Sequence, residues 1–596
     1  MNLSLEQINV IRYLIRRPAR IFIVLPRAIS LLFCRLNRTL SLALKTNLHQ
    51  SARRQSDGMN LVLERFPKMK LLHGSDTVHR QFRLACSTIA FDLDIAWDHP
   101  YDDIEDSFAL NRFGWLLVAL VEHPSTAMAE KAQQWLESWI AAMGDRRNQS
   151  AWESYSVSER LANWPFILLI LRELIQLSEE FIQNVAKTMI DHIEYLLSHL
   201  ELNGKATNNH ILNNARGLYI AGLVLNDAIA LEKAKQLFLV WTPIMFNNDG
   251  VLQEHSSHYQ FLLCQRYEQV SHLANHFRDN EFYSFMQPWV TSMKEVCKLL
   301  SVSCARDRTV IPLFGDLSPD FTPQWLLPGG GWSVLKAGLS WKSSNNEAMN
   351  KNEISMQKKG YFIRANAGDV TCFWHIPTDP HLFSRHGHFD LGSFVLFYRC
   401  QEIFADPGCY SYTNVGSYGK SARAHSSVTI DSLGAYCEDH RLDSLKAYSQ
   451  QNSNYKIDEE KDKIVISLDI CGFERLRNPA KWVRFFLFMR DRMIIRDEIE
   501  ATGKSIVMTR FQIDPEVDVE IINNAFELKS GSVSPLIFKI MDNVPYEYVL
   551  KRRGNNNDDE EWFSKEYGRR SAGSSLIIRR ELNNKQVHEY EIGWAS

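Results

Sequence analysis

The chain has no excess of charge of one sign. Its 596 residues include 67 lysines and arginines and 70 aspartates and glutamates, which gives a net charge of −3. Proteins that bind nucleic acid usually carry a basic surface, so this balance gives no global reason to expect a nucleic-acid partner. A polyanion that binds this chain has to meet a local group of basic residues.

The chain also lacks an ordered cysteine pattern. Its ten cysteines stand at 34, 86, 264, 297, 304, 372, 400, 409, 437 and 471, with no Cys-x-x-Cys pair and no regular spacing. This spacing indicates neither a zinc ribbon nor a disulfide framework. Cysteine usage therefore leaves the redox compartment open.

Long hydrophobic runs are absent as well. No stretch reaches the roughly 18 apolar residues of a membrane-spanning helix. From Arg12 to Arg35, apolar runs are interrupted by arginines and Pro26, and no small-residue cleavage site follows, so no clear signal peptide is indicated. We expect residues 1–60 to form a basic, apolar helical segment that lies at a membrane surface or packs on the main domain. This favours a cytoplasmic or membrane-associated protein over a periplasmic one.

A helical period dominates from about residue 80 to 300. Met128, Ala132, Trp135, Trp139 and Met143 recur at steps of three or four between Pro124-Ser125 and Gly144, which predicts a helix. The series from Val185 to Leu200 predicts another, which ends at Asn203-Gly204. Several helices without intervening strands indicate a helical domain over residues 61–328.

The period changes after Pro328-Gly329-Gly330-Gly331. Isoleucine and leucine alternate with other residues from Ile464 to Ile470, and Phe394, Leu396 and Tyr398 alternate likewise. This two-residue repeat is typical of a sheet. We therefore predict a multidomain α+β protein with a second, antiparallel β domain over residues 329–596.

Two imidazoles and a carboxylate stand close together in His386-Gly387-His388-Phe389-Asp390. Histidine titrates near neutral pH and ligates transition metals, so this stretch can supply a base, a metal ligand or both. Chance occurrence of such a short pattern is the alternative.

The helical half contains two further polar clusters, Asn208-Asn209-His210 and the run from Asp249 to Tyr259. Taken alone, the first is typical of a helix cap. A histidine and a tyrosine on one helix face are also usually structural. Neither cluster supports a function by itself.

Together with the histidine stretch, and with Asp406-Pro407-Gly408 and Ala424-His425 after it, these clusters resemble the heparinase II/III-like polysaccharide lyases in order and spacing. The resemblance covers residues 90 to 515. It implies an incomplete α/α toroid followed by an antiparallel β-sandwich. It also implies an enzyme, a carbon–oxygen lyase that cleaves an acidic, glycosaminoglycan-like or alginate-like polysaccharide by β-elimination at a uronic acid.

The resemblance also implies catalytic roles. Asn209, with His210 beside it, is expected to bind the substrate carboxylate, since an amide donates without competing as a base. Tyr259 is expected to protonate the leaving group, and to act also as the base if elimination is syn. His386 is the expected second acid or base.

His388, Asp406 and His425 match positions that hold a metal, often zinc, in some members of the family. Two histidines and a carboxylate are a reasonable zinc set, although the same three side chains can form a hydrogen-bond network. We expect one structural zinc ion and no organic cofactor.

Substrate-binding roles are implied for five residues of the groove: Arg160, Asn163, Trp164, Glu254 and Arg423. Surface salt bridges or core packing are the alternatives. Lys420 lies near Arg423 in sequence and adds positive charge beside the last histidine.

Three departures from the family pattern leave other functions open. Ser426-Ser427 and Asn213 differ from the residues common in relatives, and the missing secretion signal points to a bacterial surface-polysaccharide or exopolysaccharide pathway rather than to foraging. A uronate C5-epimerase is one alternative, because such an enzyme also removes the proton at C5 of the uronic acid. A non-catalytic glycan-binding or assembly protein is the alternative from another class.

Overall fold

The computed structural model describes residues 61, 63–67, 80–145, 149–204, 207–304, 308–328, 330–331, 354–377, 386–413, 416–438, 449–450, 452–523, 525–531, 534–551 and 561–594. The predicted N-terminal helical segment, residues 1–60, lies outside these residues, so its contact with a membrane stays a prediction. Among the helices of the described parts, none has the length and apolar character needed to cross a membrane.

The first half of the described chain is helical. Its helices are α1 (Ile104–Arg112), α2 (Gly114–Glu122), α3 (Thr126–Met143), α4 (Ser154–Leu174), α5 (Glu179–Ser198), α6 (His210–Leu225), α7 (Ala228–Met245), α8 (Ser257–His276), α9 (Asn280–Leu300) and α10 (Pro323–Leu326). Helix α6 packs on α4 and α7, and α8 packs on α9. The helices form the predicted incomplete α/α toroid.

Helix α3 illustrates how the sequence produces these elements. The Ser125 hydroxyl accepts a hydrogen bond from the Met128 backbone N–H at 3.2 Å and so caps the first turn. Met128, Trp135 and Trp139 are buried on one face, and Gly144 follows the last turn. The helix predicted from the period of apolar residues is confirmed.

Helix α5 ends earlier than predicted, at Ser198 instead of near Asn203. The Ser198 hydroxyl donates to the Tyr195 carbonyl at 2.7 Å, and the His199 ring nitrogen lies 2.9 Å from the same oxygen. Side chains therefore satisfy a carbonyl that a longer helix would bind through its backbone. Leu200 lies past the helix end but is buried all the same.

The second half is built from antiparallel strands. The strands of the described chain are β1 (Gln81–Arg83), β2 (Thr88–Ala90), β3 (Val302–Ser303), β4 (Thr309–Val310), β5 (Ile354–Lys359), β6 (Phe362–Ala367), β7 (Val370–His375), β8 (Val395–Tyr398), β9 (Gln401–Phe404), β10 (Val428–Ile430), β11 (Asn454–Glu460), β12 (Lys463–Ile470), β13 (Ala480–Met489), β14 (Arg492–Ala501), β15 (Ser505–Ile513), β16 (Asp518–Ile522), β17 (Ala525–Lys529), β18 (Leu536–Ile540), β19 (Glu547–Lys551), β20 (Trp562–Glu566), β21 (Arg569–Ala572), β22 (Ser574–Leu582) and β23 (Lys585–Gly593). A short helix, α11 (Ser417–Lys420), lies between β9 and β10.

Two large sheets form the sandwich. In the described residues, one sheet has the strand order β19-β22-β15-β9-β8-β7-β6-β5, with β10 paired to β15, and the other has the order β11-β12-β13-β14-β23-β18-β17-β16. Ile464, Ile466, Leu468 and Ile470 of β12 are buried between the sheets, as their alternation predicted. The predicted antiparallel β-sandwich is confirmed.

Strand β8 is buried on both faces, unlike the half-buried strand that its alternation suggests. Leu396 and Tyr398 pack in the sandwich core, whereas Val395 and Phe397 pack in the same core as the toroid helices. The sheet that contains β8 therefore lies against the toroid. The loops next to β8 come close to the ends of the toroid helices. The change from helices to strands falls between Leu326 and Ile354, and the predicted domain limits stay predictions.

Candidate active site

Segments from both domains meet where helix α8 begins. Gly315, on the loop after β4, has a φ of +74°. A Cβ atom there would lie 2.4 Å from the His255 carbonyl oxygen and 2.6 Å from that of His386. Only glycine allows this close approach. The segment before β8 that carries His386 therefore packs against the first turn of α8. The Asp316 backbone N–H, next in the chain, donates to the His386 carbonyl at 2.8 Å.

Asn209 occupies the N-cap position of α6, but its side chain makes no capping hydrogen bond. Its backbone N–H donates to Glu254 at 2.7 Å, and its side-chain Nδ2 donates to the other Glu254 oxygen at 2.5 Å. Nδ2 also lies 3.3 Å from Nε2 of His386. The Asn209 amide is therefore held next to the imidazole rather than used as a helix cap.

Tyr259 stacks on His386, with ring centroids 3.9 Å apart and an interplanar angle of 13°. Its hydroxyl lies 2.9 Å from that of Tyr412, which in turn donates to the Leu317 carbonyl at 3.0 Å. Burial raises the pKa of Tyr259 well above its usual value, although the hydrogen bond with Tyr412 opposes this. The phenol keeps its proton at neutral pH and can donate it.

The Asp316 carboxylate fixes the protonation pattern of two imidazoles. It lies 3.1 Å from Nδ1 of His386, 3.1 Å from Nε2 of His388 and 2.7 Å from the Lys420 ammonium. Burial would raise the pKa of Asp316, but Lys420 and the two histidines outweigh it and hold the pKa well below its usual value. Because an ionised carboxylate only accepts, His386 donates from Nδ1. In the neutral imidazole, Nε2 is then the acceptor, 3.3 Å from Nδ2 of Asn209 and 3.5 Å from a Glu254 oxygen.

The structure brings His388, Asp406 and His425 together in the interior. One candidate ligand atom from each lies within 4.8 Å of the others. Nδ1 of His425 lies 3.2 Å from Oδ2 of Asp406, whereas Nδ1 of His388 and Nε2 of His425 are buried without a hydrogen-bond partner. Since buried polar atoms are normally paired, these two nitrogens beside a carboxylate suit a metal ion, and the donor set fits zinc.

His210 points away from this contact network. Its Nδ1 lies 2.7 Å from Glu201, and its ring packs on Tyr155 with centroids 4.6 Å apart. Burial would lower the pKa of His210, but Glu201 outweighs it and raises the pKa. Glu201 thus favours the protonated form of His210 near the start of α6, while the predicted role of His210 beside the substrate carboxylate stays a prediction.

Three of the predicted groove residues lie in the interior of the toroid, and their predicted contact with substrate stays a prediction. Arg160, Asn163 and Trp164 are all fully buried in α4. The Arg160 guanidinium lies over the Trp139 ring at 4.3 Å and donates to a backbone carbonyl, and burial lowers its pKa to about 9. These side chains pack the interior of the toroid, where Asn209 is equally buried.

Glu254 and Arg423, the other two predicted binding residues, differ from each other. Glu254 is 1% exposed, and both of its carboxylate oxygens accept from Asn209. It therefore positions Asn209, and its predicted direct contact with substrate stays a prediction. Arg423 lies exposed on the turn before His425, where its role in binding stays a prediction.

Sequence reasoning missed Asp316 and Tyr412. Asp316 follows a glycine in a loop, and Tyr412 lies in the loop after β9, so no periodic pattern marks either residue. Both are distant in sequence from the residues that they contact. Only the carboxylate after Gly315 offered a signal, since glycine beside a polar residue often marks a close backbone approach.

Sequence models of one family match most of the chain. The heparinase II/III N-terminus model matches residues 41–322, and the heparinase II/III-like C-terminal model matches residues 348–594. The chain belongs to the heparinase II/III family. Heparinases are carbon–oxygen lyases that act on polysaccharides, so membership confirms the predicted enzyme class.

Solved structures of similar fold include heparinases. A heparan sulfate lyase HepC mutant from Pedobacter heparinus is 14% identical, with a TM-score of 0.55 over 90% of this chain and 86% of that one. A heparinase III structure is 14% identical, with a TM-score of 0.60 over 91% and 86%. A search among curated proteins returned no match. At this identity, the heparinase II/III-like chain shares the fold with these structures.

Proposed function

We propose that this heparinase II/III family member cleaves a uronic-acid-containing polysaccharide by β-elimination at Asn209, Tyr259 and His386. The stacking of the Tyr259 phenol on the His386 imidazole is the observation that carries the proposal. It places a proton donor and a proton acceptor in contact, beside an amide that Glu254 holds in place. Elimination at a uronic acid needs these three functions.

The reaction removes the proton on C5, which is weakly acidic because the uronate carboxylate is attached to that carbon. The electrons form a C4=C5 double bond as the C4–O bond breaks, and the leaving oxygen takes a proton. The enzyme therefore has to neutralise the carboxylate, accept one proton and donate another. The product carries an unsaturated sugar at its new non-reducing end.

Asn209 is suited to the first task. Its amide donates hydrogen bonds without acting as a base, and the charge that develops on the carboxylate is stabilised by donors that are already oriented. Glu254 supplies that orientation by accepting from both the backbone and the side chain of Asn209. Substrate binding displaces the contact between Nδ2 of Asn209 and His386.

His386 and Tyr259 are suited to the proton transfers. The Nε2 lone pair of His386 accepts the C5 proton in an anti elimination, and Asp316 then stabilises the imidazolium through Nδ1. Tyr259, whose raised pKa keeps it protonated, donates to the leaving oxygen. In a syn elimination, Tyr259 has to enter the step as the phenolate, take the C5 proton and return it to the leaving oxygen, and its raised pKa disfavours this route.

We also propose that His388, Asp406 and His425 hold one zinc ion. Nδ1 of His388 and Nε2 of His425 are buried without a hydrogen-bond partner, and this supports the proposal. The hydrogen bond between Nε2 of His388 and Asp316 leaves Nδ1 of His388 available as a metal ligand. Bound zinc would fix the segment between His386 and β8 as a structural element. Elemental analysis of the full chain should find about one zinc per chain, and His425→Ala should lower that ratio.

The substrate class follows from charge. The uronate carboxylate makes the polymer anionic, and the partly exposed Lys420 lies beside the site. Two of the structures with this fold are named heparan sulfate lyases. We propose an acidic glycosaminoglycan-like or alginate-like polymer, and a bacterial exopolysaccharide belongs on the same panel of substrates.

Ultraviolet absorbance of the unsaturated uronate tests the proposal. Purified protein is offered a panel of uronate polymers, with Tyr259→Phe as the matched variant that keeps the ring on His386 and removes only the hydroxyl. Absorbance should rise with the wild-type protein on at least one polymer and stay flat with the variant. Equal rates for the two proteins would contradict the assigned role of Tyr259.

Two other outcomes separate the alternatives. If absorbance stays flat but solvent deuterium enters C5 of the uronate, the protein is a C5-epimerase, which reprotonates the intermediate on the other face. If neither signal appears while the polymer still binds, the site serves glycan binding without turnover. Either result would overturn the proposed elimination.

A further inference from the structure

Two cysteines that are distant from each other in sequence lie beside each other on opposite sides of the domain junction. Cys304 is on the loop between β3 and β4, which follows the last long toroid helix, and Cys400 is in the turn between β8 and β9 of the sandwich. Both are free and partly buried. Sγ of Cys400 lies 3.6 Å from the carbonyl oxygen of Ser303, the residue before Cys304, and Sγ of Cys304 lies 3.6 Å from the Val302 carbonyl oxygen. We propose that Cys304 and Cys400 form a reversible disulfide that ties the toroid to the sandwich.

The backbone around Cys400 supports a specific role for this side chain. Arg399 and Cys400 both have positive φ, 50° and 66°, as in a tight two-residue hairpin turn. Asparagine and glycine fit this conformation with less strain than cysteine does. The turn is held by Arg399, whose backbone and side chain both bind Asp369 at 2.9 Å. A strained and anchored position keeps the Cys400 thiol directed at the neighbouring domain.

The opposite thiol is held just as firmly. The Cys304 backbone N–H donates to the Arg308 carbonyl at 2.7 Å, which closes the hairpin between β3 and β4. Arg308 also lines a cavity of about 310 Å³ together with Cys400, Gln401 and Lys565. A small oxidant can therefore reach Cys400 from this cavity.

The charges around the pair assign different roles to the two sulfurs. The hydrogen bond from Cys304 and the Arg308 guanidinium lower the pKa of Cys400 to about 7, although burial opposes this. The hydrogen bond with Cys400 and burial raise the pKa of Cys304. Cys400 is thus the thiolate that attacks first, and Cys304 is the thiol that completes the disulfide.

A small-molecule disulfide such as oxidised glutathione is a sufficient oxidant. The Cys400 thiolate attacks one sulfur of that disulfide, so its S–S bond breaks and one thiolate leaves with a mixed disulfide on Cys400. Cys304 then gives its proton to the released thiolate, its sulfur attacks Cys400, and the second small thiolate leaves. The protein loses two hydrogens, and the oxidant is reduced to two thiols.

The disulfide would enclose the segment that carries His386 and His388. Roughly 100 residues lie between the two cysteines, a loop length at which a cross-link strongly restricts the unfolded chain. Since Asn209 and Tyr259 come from the toroid, the bond would also hold the two halves of the site together. Oxidation should therefore raise the temperature of unfolding.

The experiment uses the reduced full-length chain, oxidised glutathione and alkylation of the remaining thiols under denaturing conditions. Mass spectrometry should find two fewer alkylated cysteines than the ten of the reduced chain and a peptide pair joined through Cys304 and Cys400. Ten alkylated cysteines, a lasting glutathione adduct on Cys400 or a different pair would each overturn the proposal.

Three variants complete the test. Cys304→Ser and Cys400→Ser should not cross-link, and oxidation should leave their unfolding temperature unchanged. Cys471→Ser is the matched control, because Cys471 is also partly buried and close to an acceptor, Glu474, at 3.5 Å. This control should cross-link and gain unfolding temperature as the wild type does. A cross-link that forms without raising that temperature would contradict the proposed tie between domains.

Discussion

Asp316→Asn is the most informative perturbation of the site, because this carboxylate contacts His386, His388 and Lys420 at once. Its Oδ2 faces His386 and Lys420, and its Oδ1 faces His388. An asparagine keeps one oxygen and replaces the other with an NH₂ group. Since Lys420 can only donate, the amide oxygen should stay on its side, and the NH₂ should face Nε2 of His388.

Two consequences follow from that orientation. His386 keeps a neutral acceptor on Nδ1 but loses the negative charge that stabilises its protonated form. Nε2 of His388 has to accept instead of donate, so its proton moves to Nδ1, the atom that would bind zinc. Replacing an outer residue that orients a reacting or ligating histidine costs about 10- to 100-fold. We expect kcat to fall by that factor, which corresponds to about 1.4 to 2.7 kcal/mol in the barrier.

The assay is steady-state kinetics on the polymer that the wild type cleaves, with zinc content and thermal unfolding measured on the same samples. Losing charged hydrogen bonds of about 1.5–3 kcal/mol each also lowers stability, so a control for stability is needed. Asp542→Asn is a suitable stability control, because Asp542 forms an ion pair with buried Arg580 at 2.9 Å in the sandwich domain. It should destabilise the protein and leave kcat unchanged. A folded Asp316→Asn protein with wild-type kcat would refute the reasoning.

Three further predictions follow from the same contacts. Tyr412→Phe removes the hydroxyl 2.9 Å from that of Tyr259 and should lower kcat about tenfold in steady-state kinetics, the effect of one hydrogen bond; an unchanged kcat would contradict it. Gly315→Ala forces a side chain into a left-handed backbone against two carbonyls and should lower the free energy of unfolding by at least about 1–3 kcal/mol in urea denaturation. Arg160→Met should lower the thermal unfolding temperature and leave KM unchanged, because Arg160 is a core residue; a raised KM in the folded variant would support its predicted place in the groove.

The sequence predicted helices and strands correctly where the spacing of apolar residues reflects which face of the element is buried. Ser125, the spacing from Met128 to Met143 and Gly144 predict helix α3, because one apolar face and two end signals are local properties of the chain. The alternation in β12 predicts a strand for the same reason. Strand β8 was only partly anticipated, since contact with the toroid buries its second face and no local pattern reports that.

The residues of the site were predicted with less success than the fold. Family motifs identified Asn209, Tyr259 and His386, which the structure brings into contact. The same motifs also suggested that Arg160 and Trp164 line the groove, but a motif does not distinguish a residue that touches substrate from one that packs beneath it. Asp316 and Tyr412 escaped prediction, since their importance comes from contacts between distant loops.

Mass spectrometry of the products tests the central claim, that the junction between the domains performs elimination. Elimination breaks the C4–O bond without adding water, so each new non-reducing end should be unsaturated and lighter by one water than the end that hydrolysis leaves. The Tyr259→Phe protein should leave the polymer intact. Saturated new non-reducing ends that carry a C4 hydroxyl would show hydrolysis and would contradict the account.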